Sequence, residues 1–345
     1  MRGRRIRILA AGAALCAGVA GACRGRQEER TVELHVGVTY YNQSDTFLNE
    51  LIGCFKDELV KLEDSGFETA LTVRDAAGAK RTQDDQVQEL IDAGCNILCV
   101  NLVDRADPSE IIDLAREKDI PIIFFNREPV AEDMMQWEKL YYVGADAEQS
   151  GMMQGSLAAD LIRCDEHVDR NQDGKIQYVV LEGEAGHQDA IIRTESAVDT
   201  LKSNGIVLEK LSCGIANWNR AQAKNRMMQM IGQYRNQIEL VLANNDDMAL
   251  GALDAYEELN YQGSALPVFF GIDGTDEGLK AVREHRMHGT VYNDKEGQAA
   301  AMAELAAALI CGQEPVEMPF ENEKYIYLPY YKVPGDSGLP ENRNP

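Results

Sequence analysis

Positive charge is scarce in this 345-residue chain: 34 Lys and Arg face 57 Asp and Glu, leaving a net charge of −23. Such a balance excludes the phosphate attraction on which nucleic-acid binding depends, and it opposes an electrostatic grip on anionic membranes. No apolar run beyond residue 22 is long enough to span a bilayer. Tandem repeats, low-complexity tracts and long Pro/Gly/Ser linkers are also missing, so any domains must be joined by short crossings. Eight cysteines are present, but none forms a C-x-x-C pair or has zinc-ligand spacing. No nucleophile–base–orienter set or open metal site stands out either.

What is present begins with an export signal. Arg2, Arg4, Arg5 and Arg7 precede the apolar stretch Ile8–Ala22. Ala20-Gly21-Ala22-Cys23 resembles a lipobox, with Cys23 as the lipidated first residue of the mature chain; ordinary cleavage near Ala22 is the alternative. Residues 1–22 are then the signal peptide and 23–33 a lipidated tether. Loss of the four arginines takes the formal charge from −23 to −27. Cys54, Cys95, Cys99, Cys164, Cys213 and Cys311 remain. They read mostly as buried thiols, and one unidentified disulfide is compatible with the count.

From residue 34 onward, short apolar runs alternate with amphipathic segments. Strands are predicted at Leu34–Thr39, Glu68–Val73, Asn96–Val103, Ile120–Asn126, Tyr141–Ala145, Ile176–Glu182, Val207–Cys213, Leu240–Asn245, Pro267–Asp273 and Gly289–Asn293. Helices are predicted at Thr82–Ala93, Ser109–Lys118, Ala190–Lys202 and Ala221–Tyr234, among others. This is the βαβ pattern of α/β proteins. Ten strands exceed one comfortable sheet, so the fold class is two doubly wound parallel-sheet (Rossmann-like) domains joined by a multi-strand hinge. Ligands of such sheets lie beyond the carboxyl ends of the strands. The residues there are polar: Asp45 and Phe47, Asn101, Asn126, His187 and Asp189 with Arg193, Asn245, Asp273, and Asn293. Each alone could be a helix cap; Asp246 and Asp294 read that way. The ensemble is rich in paired acceptors and donors and poor in Lys. Hydroxylated ligands such as sugars need such pairs, together with aromatic rings against their C–H faces. Phe47 and Trp218 are the candidate rings.

A second pattern lies at Asp169-Arg170-Asn171-Gln172-Asp173-Gly174-Lys175-Ile176-Gln177. Side-chain oxygens fall at loop positions 1, 3, 5 and 9, glycine at 6, and Lys175 can offer its backbone carbonyl at 7. The bidentate Glu of position 12 is missing, because Val180 stands there in a predicted strand. A structural Ca2+ completed by an acid from elsewhere in the chain is expected; a polar turn without metal is the alternative.

At these residues the chain resembles the periplasmic glucose/galactose-binding proteins of bacterial ABC importers, in the ribose/galactose branch. The runs that carry the likeness include Asp45-Thr46-Phe47, Val100-Asn101-Leu102-Val103-Asp104, Phe124-Phe125-Asn126-Arg127-Glu128-Pro129, the calcium loop, Gly186-His187-Gln188-Asp189 and Ala243-Asn244-Asn245-Asp246. Gly271-Ile272-Asp273 and Gly289-Thr290-Val291-Tyr292-Asn293-Asp294 extend it over most of residues 34–333. The resemblance implies a type I periplasmic binding protein fold. One lobe would comprise residues 34–126 plus 294–328, the other 127–293 plus 329–345, with hinges near Asn126-Arg127, Asn293-Asp294 and Leu328. It implies that Phe47 and Trp218 sandwich D-glucose or D-galactose. Asp45, Asn101, His187, Asp189, Arg193, Asn245, Asp273 and Asn293 would hydrogen-bond that sugar. Glu239 would complete a Ca2+ site with Asp169, Asn171, Asp173, Gln177 and the Lys175 carbonyl.

The implied protein is a non-enzymatic, monomeric solute-binding protein that delivers hexose to an ABC permease. It would be anchored at the outer face of the cell membrane, or periplasmic if the lipobox is unused. A sensor that presents its closed form to a chemoreceptor or membrane histidine kinase shares the ligand and differs in partner. A sugar-acting enzyme would use His187 and Asp189 as an acid/base pair. A repressor is excluded because the N-terminus is a signal rather than a helix-turn-helix.

Overall fold

The computed structural model describes residues 31–313 and 318–335. The signal segment and Cys23 lie outside them. The first half runs β1 (Val32–Tyr40), α1 (Thr46–Glu63), β2 (Phe67–Asp75), α2 (Lys80–Asp92), β3 (Ile97–Val100), α3 (Ser109–Glu117), β4 (Ile122–Phe125), α4 (Ala131–Met134) and β5 (Leu140–Ala145). Then follow α5 (Ala147–Cys164), β6 (Ile176–Glu182), α6 (Gln188–Ser203), β7 (Leu208–Ile215), α7 (Arg220–Tyr234), β8 (Leu240–Ala243), α8 (Asp246–Glu258), β9 (Val268–Phe270) and α9 (Asp276–Arg283). The chain closes with β10 (Gly289–Asn293), α10 (Lys295–Ile310), β11 (Tyr325–Leu328) and β12 (Tyr330–Pro334).

Two six-stranded sheets result, in the orders β11-β5-β4-β3-β1-β2 and β12-β10-β9-β8-β6-β7. Every pairing is parallel except β10 with β12. The inner strands Ile97–Val100, Ile122–Phe125 and Leu240–Ala243 are wholly buried. Continuous apolar runs are what a parallel sheet covered on both faces requires. The two orders match strand for strand, so each sheet reverses its winding at one place: between β1 and β3 in the first, and between β6 and β8 in the second. Crevices open beyond the strand ends at such points, and here the two crevices face each other.

The chain passes between the sheets three times, at Ala145-Asp146, Asn293-Asp294 and Leu328-Pro329. The expected boundary at Asn126-Arg127 is corrected by this topology. β5 pairs with β4, Ile122 opposite Leu140 and Phe125 opposite Val143, so residues 127–145 belong to the first lobe. Two strands exceed the ten predicted: β11 and β12, four and five residues long, interrupted by Pro329. Cys54, Cys95, Cys99, Cys164 and Cys213 form no disulfide, and only Cys95 and Cys99 are buried, so the expectation of mostly buried thiols is corrected.

Behind the crevice, Asp246 is fully buried. It accepts hydrogen bonds from Thr290 Oγ1 at 2.5 Å and Thr275 N at 2.9 Å. A Cβ added at Gly271 or Gly278 would meet its carboxylate oxygens at 2.1 Å, which explains both glycines. Burial pushes the Asp246 carboxyl up to about 7. The folded state therefore holds this proton more tightly than the unfolded chain, whose Asp titrates near ~3.9. Its contribution is largest below that pH and falls as pH rises toward about 7. Thermal melts should accordingly show Asp246→Asn gaining stability relative to the parent between pH 5 and pH 8; a constant difference across that range would refute the assignment.

Candidate functional site

The facing crevices meet at a cleft lined by Tyr41, Asp45, Phe47, Asn126 and Arg127 from the first lobe and His187, Asp189, Arg193, Trp218, Asn245 and Asp273 from the second. Convergent polar groups between aromatic rings, at the strand ends of two facing sheets, are the usual setting of a small-molecule site. Eight of the ten residues singled out in the sequence line it. Asn101 and Asn293 do not. Asn101 is fully buried. Its amide accepts from Tyr41 N at 3.3 Å and donates to Phe125 O at 3.1 Å and Asn126 Oδ1 at 3.0 Å. It therefore holds the Tyr41 backbone and the Asn126 side chain, both lining, without lining the cavity itself. Asn293 is spent on Gln298, whose Nε2 donates to its Oδ1 at 2.6 Å.

Several lining residues also build the local backbone. Asp45 caps α1 through Leu48 N at 2.9 Å and accepts from Tyr41 Oη at 2.7 Å. His187 caps α6: its Nδ1 accepts from Asp189 N at 3.2 Å. That bond places the ring proton on Nε2. Burial, reinforced by Arg127 and Arg193, lowers the His187 pKa to about 3, so the ring is a neutral donor. Asn245 caps α8 through Met248 N at 3.0 Å and donates to Trp218 O at 3.2 Å. These three residues thus cap helices and line the cavity at once.

Asp273 is 5% exposed and takes φ 108°. Its carbonyl accepts from Asn293 N at 3.0 Å and its own N–H donates to Val291 O at 2.8 Å, which holds this strained turn in place. Burial raises its carboxyl pKa, against the opposing pull of Arg193. Arg193 donates to Asn244 O at 2.7 Å, Tyr330 Oη at 3.1 Å and Asp273 Oδ1 at 3.4 Å. Its buried Nε has no protein partner. A desolvated donor of this kind costs free energy unless something accepts from it.

Trp218 also takes a positive φ, 60°. Its ring lies against Gly183, where a Cβ would come within 2.1 Å of a ring carbon. His187 meets it edge-on at 5.2 Å, and the Arg193 guanidinium sits 5.8 Å from its centroid. Sequence reasoning placed Arg127 at a hinge and gave neither it nor Tyr41 a place in the cavity wall. The Arg127 guanidinium stacks 3.6 Å over the Tyr41 ring and donates to Glu184 Oε1 of the other lobe at 2.8 Å. Their signal in the sequence was their place beside Asp45 and Asn126.

The nine-residue loop 169–177 sits apart from this cavity. Glu239, 2% exposed, is brought to it from the residue before β8. Its carboxylate accepts from Arg170 N at 2.7 Å, Asn171 N at 3.3 Å and Gln177 N at 3.1 Å. Asp173 Oδ2 receives the side-chain amides of Asn171 at 3.3 Å and Gln177 at 2.9 Å. Buried Asp169 Oδ1 has no hydrogen-bond partner. Among the described residues no three His, Cys, Asp or Glu side chains converge closely enough to count as a metal-binding group.

Comparison with known proteins places the chain. The Periplasmic binding protein domain family matches residues 36–314. The D-galactose/methyl-galactoside binding periplasmic protein of Haemophilus influenzae is 35% identical over 305 residues, 88% of this chain and 90% of that protein. A xylitol-binding protein of Mycolicibacterium smegmatis is 28% identical, over 90% of this chain and 82% of its own length. Among solved structures, an ABC transporter solute binding protein from Bacillus halodurans with bound myo-inositol superposes with a TM-score of 0.72 at 26% identity. That match covers 90% of this chain and 96% of the other. The two doubly wound sheets, the cavity between them and these matches together show that the chain belongs to the periplasmic binding protein family.

Proposed function

We propose that this protein is an extracytoplasmic solute-binding protein that captures a single hexose, D-glucose or D-galactose, between its lobes and delivers it to an ABC permease. The observation that carries the reading is the chemistry of one cavity. Three aromatic rings, three carboxylates, two amides, a neutral imidazole and two arginines, one of them with a buried N–H that no protein group accepts, converge on one cleft. Carboxylates accept from hydroxyls, while Arg193 and His187 donate to hydroxyl and ring oxygens. Phe47 and Trp218 cover C–H faces. Binding is the whole of this chemistry. The relative from Haemophilus influenzae, named for D-galactose and methyl-galactoside, supports the hexose. Attachment through a lipidated Cys23 belongs to the same proposal.

Calorimetric titration of residues 24–345 tests it, with glucose, galactose, ribose, arabinose and myo-inositol as ligands. One-to-one binding of glucose or galactose in preference to the others is expected. Preference for ribose or myo-inositol would replace the hexose, and no binding by folded protein would refute the site.

Calcium is the second part of the proposal. The donor set fits a hard cation: carboxylates of Asp169, Asp173 and Glu239, amide oxygens of Asn171 and Gln177, and the Lys175 carbonyl. The orphaned Asp169 Oδ1 and the delivery of Glu239 by three backbone N–H groups support it. Bound there, the ion would neutralise acids and tie the start of β6 to β8. Saturating Ca2+ is expected to raise the melting temperature by about 10 °C, and Glu239→Gln to remove most of that shift. Hexose affinity should change far less. Parallel loss of affinity would place the ion at the sugar instead.

A further inference from the structure

The loops that carry the second lobe's ligand-facing residues are also gripped from the first lobe, by side chains that do not line the cavity. Glu50, one turn into α1, accepts from Asp276 N at 3.0 Å, the first residue of α9. Lys295, the first residue of α10, forms ion pairs with Glu50 and, at 3.1 Å, with Asp276. Its side chain is 6% exposed, unusual for an ammonium, whereas Asp276 is 83% exposed. Three residues before Asp276 stands Asp273. Beside this triad, Thr46 Oγ1 donates to Asp247 Oδ2 at 2.6 Å. Thr46 lies between the lining residues Asp45 and Phe47, and Asp247 is two residues past Asn245.

We propose that Glu50 and Lys295 are positioning residues that set sugar affinity through closure. Gripping Asp276 across the cleft, they hold the Asp273 turn against the first lobe without touching the ligand. Opening the lobes must break the Lys295–Asp276 pair and release the α9 N–H from Glu50. These bonds therefore oppose release, while association into the open form never meets them. The grip is partly ionic and one partner faces water, so salt weakens it. Screening shortens from ~10 Å at 0.1 M to ~3 Å at 1 M. The inference deepens the sugar-binding reading and rests on it for its kinetic half only.

The test compares parent, Lys295→Met, Lys295→Arg and Glu50→Gln in two measurements. In stopped-flow with D-galactose or D-glucose, Lys295→Met is expected to release sugar about tenfold faster, with association changed far less and only by the share of free parent that is closed. Raising salt from 0.05 to 1 M should speed release from the parent but not from that variant. Lys295→Arg should restore most of the parent behaviour, which a packing role for the lysine stem would not require. Glu50→Gln keeps an acceptor for Asp276 N, so it should shift release in the same direction by less, and it serves if Lys295→Met does not fold. Small-angle scattering without ligand gives the independent reading. Lys295→Met should have a larger radius of gyration than the parent, and salt should expand only the parent. Unchanged release or unchanged radius in the folded variants overturns the proposal. Absence of sugar binding in every protein, with the scattering difference present, would overturn the hexose reading and leave the grip standing.

Discussion

Replacement of Trp218 by alanine is expected to weaken hexose binding by about three orders of magnitude and to leave the fold intact. The indole is 8% exposed, lies on Gly183, and receives His187 on its edge. Its loss removes an aromatic face, opens a void and frees His187 to move. Truncating a Trp that anchors a ligand costs about 4 kcal/mol of binding, and 1.4 kcal/mol is tenfold in affinity. The loop itself is held by other bonds: Asn219 N donates to Ala216 O at 2.9 Å and Ala223 N to Asn219 O at 2.9 Å. Circular dichroism should therefore match the parent while calorimetry shows the loss. Near-parental affinity would mean that the ring walls the cavity without meeting the sugar.

The second large effect is expected at Asp273. Alanine there removes a ligand acceptor and the carboxylate that accepts from Arg193 at 3.4 Å. Breaking a buried ion pair from one side costs about 3–5 kcal/mol, so affinity should fall a hundredfold or more. Asp273→Asn keeps the shape and one acceptor, and should retain more binding than alanine. Equal loss in both would show that charge, rather than hydrogen bonding, is what the sugar uses. The φ of 108° adds a constraint on any replacement, since Ala tolerates that backbone poorly.

The sheets and the cavity were legible in the sequence because buried parallel strands are continuous apolar runs that end in polar residues. Leu240–Ala243 followed by Asn244-Asn245 is such a case. What the strand-end rule cannot give is direction. Asn101 and Asn245 both end strands, yet Asn245 lines the cavity while Asn101 turns to Phe125 and Asn126. Nor does an apolar run state its sheet. Nothing in the composition of Leu140–Ala145 names its lobe, and only its register beside β4 assigns it to the first. Arg127 escaped because an arginine beyond a strand reads as solvated. Its stacking on Tyr41 needs the first lobe to be folded, and its bond to Glu184 exists only once the lobes meet.

The last consequence concerns the order in which the molecule can be completed. β11 and β12 are separated by one proline, yet β11 adds to β5 in one sheet and β12 to β10 in the other. Ten residues near the end of the described chain thus finish both sheets at once. During synthesis neither lobe has its outermost strand until this segment emerges, and each keeps an open edge until then. The two sheets are thus completed by one segment, and a change in the length of the link at Pro329 would disturb both at once.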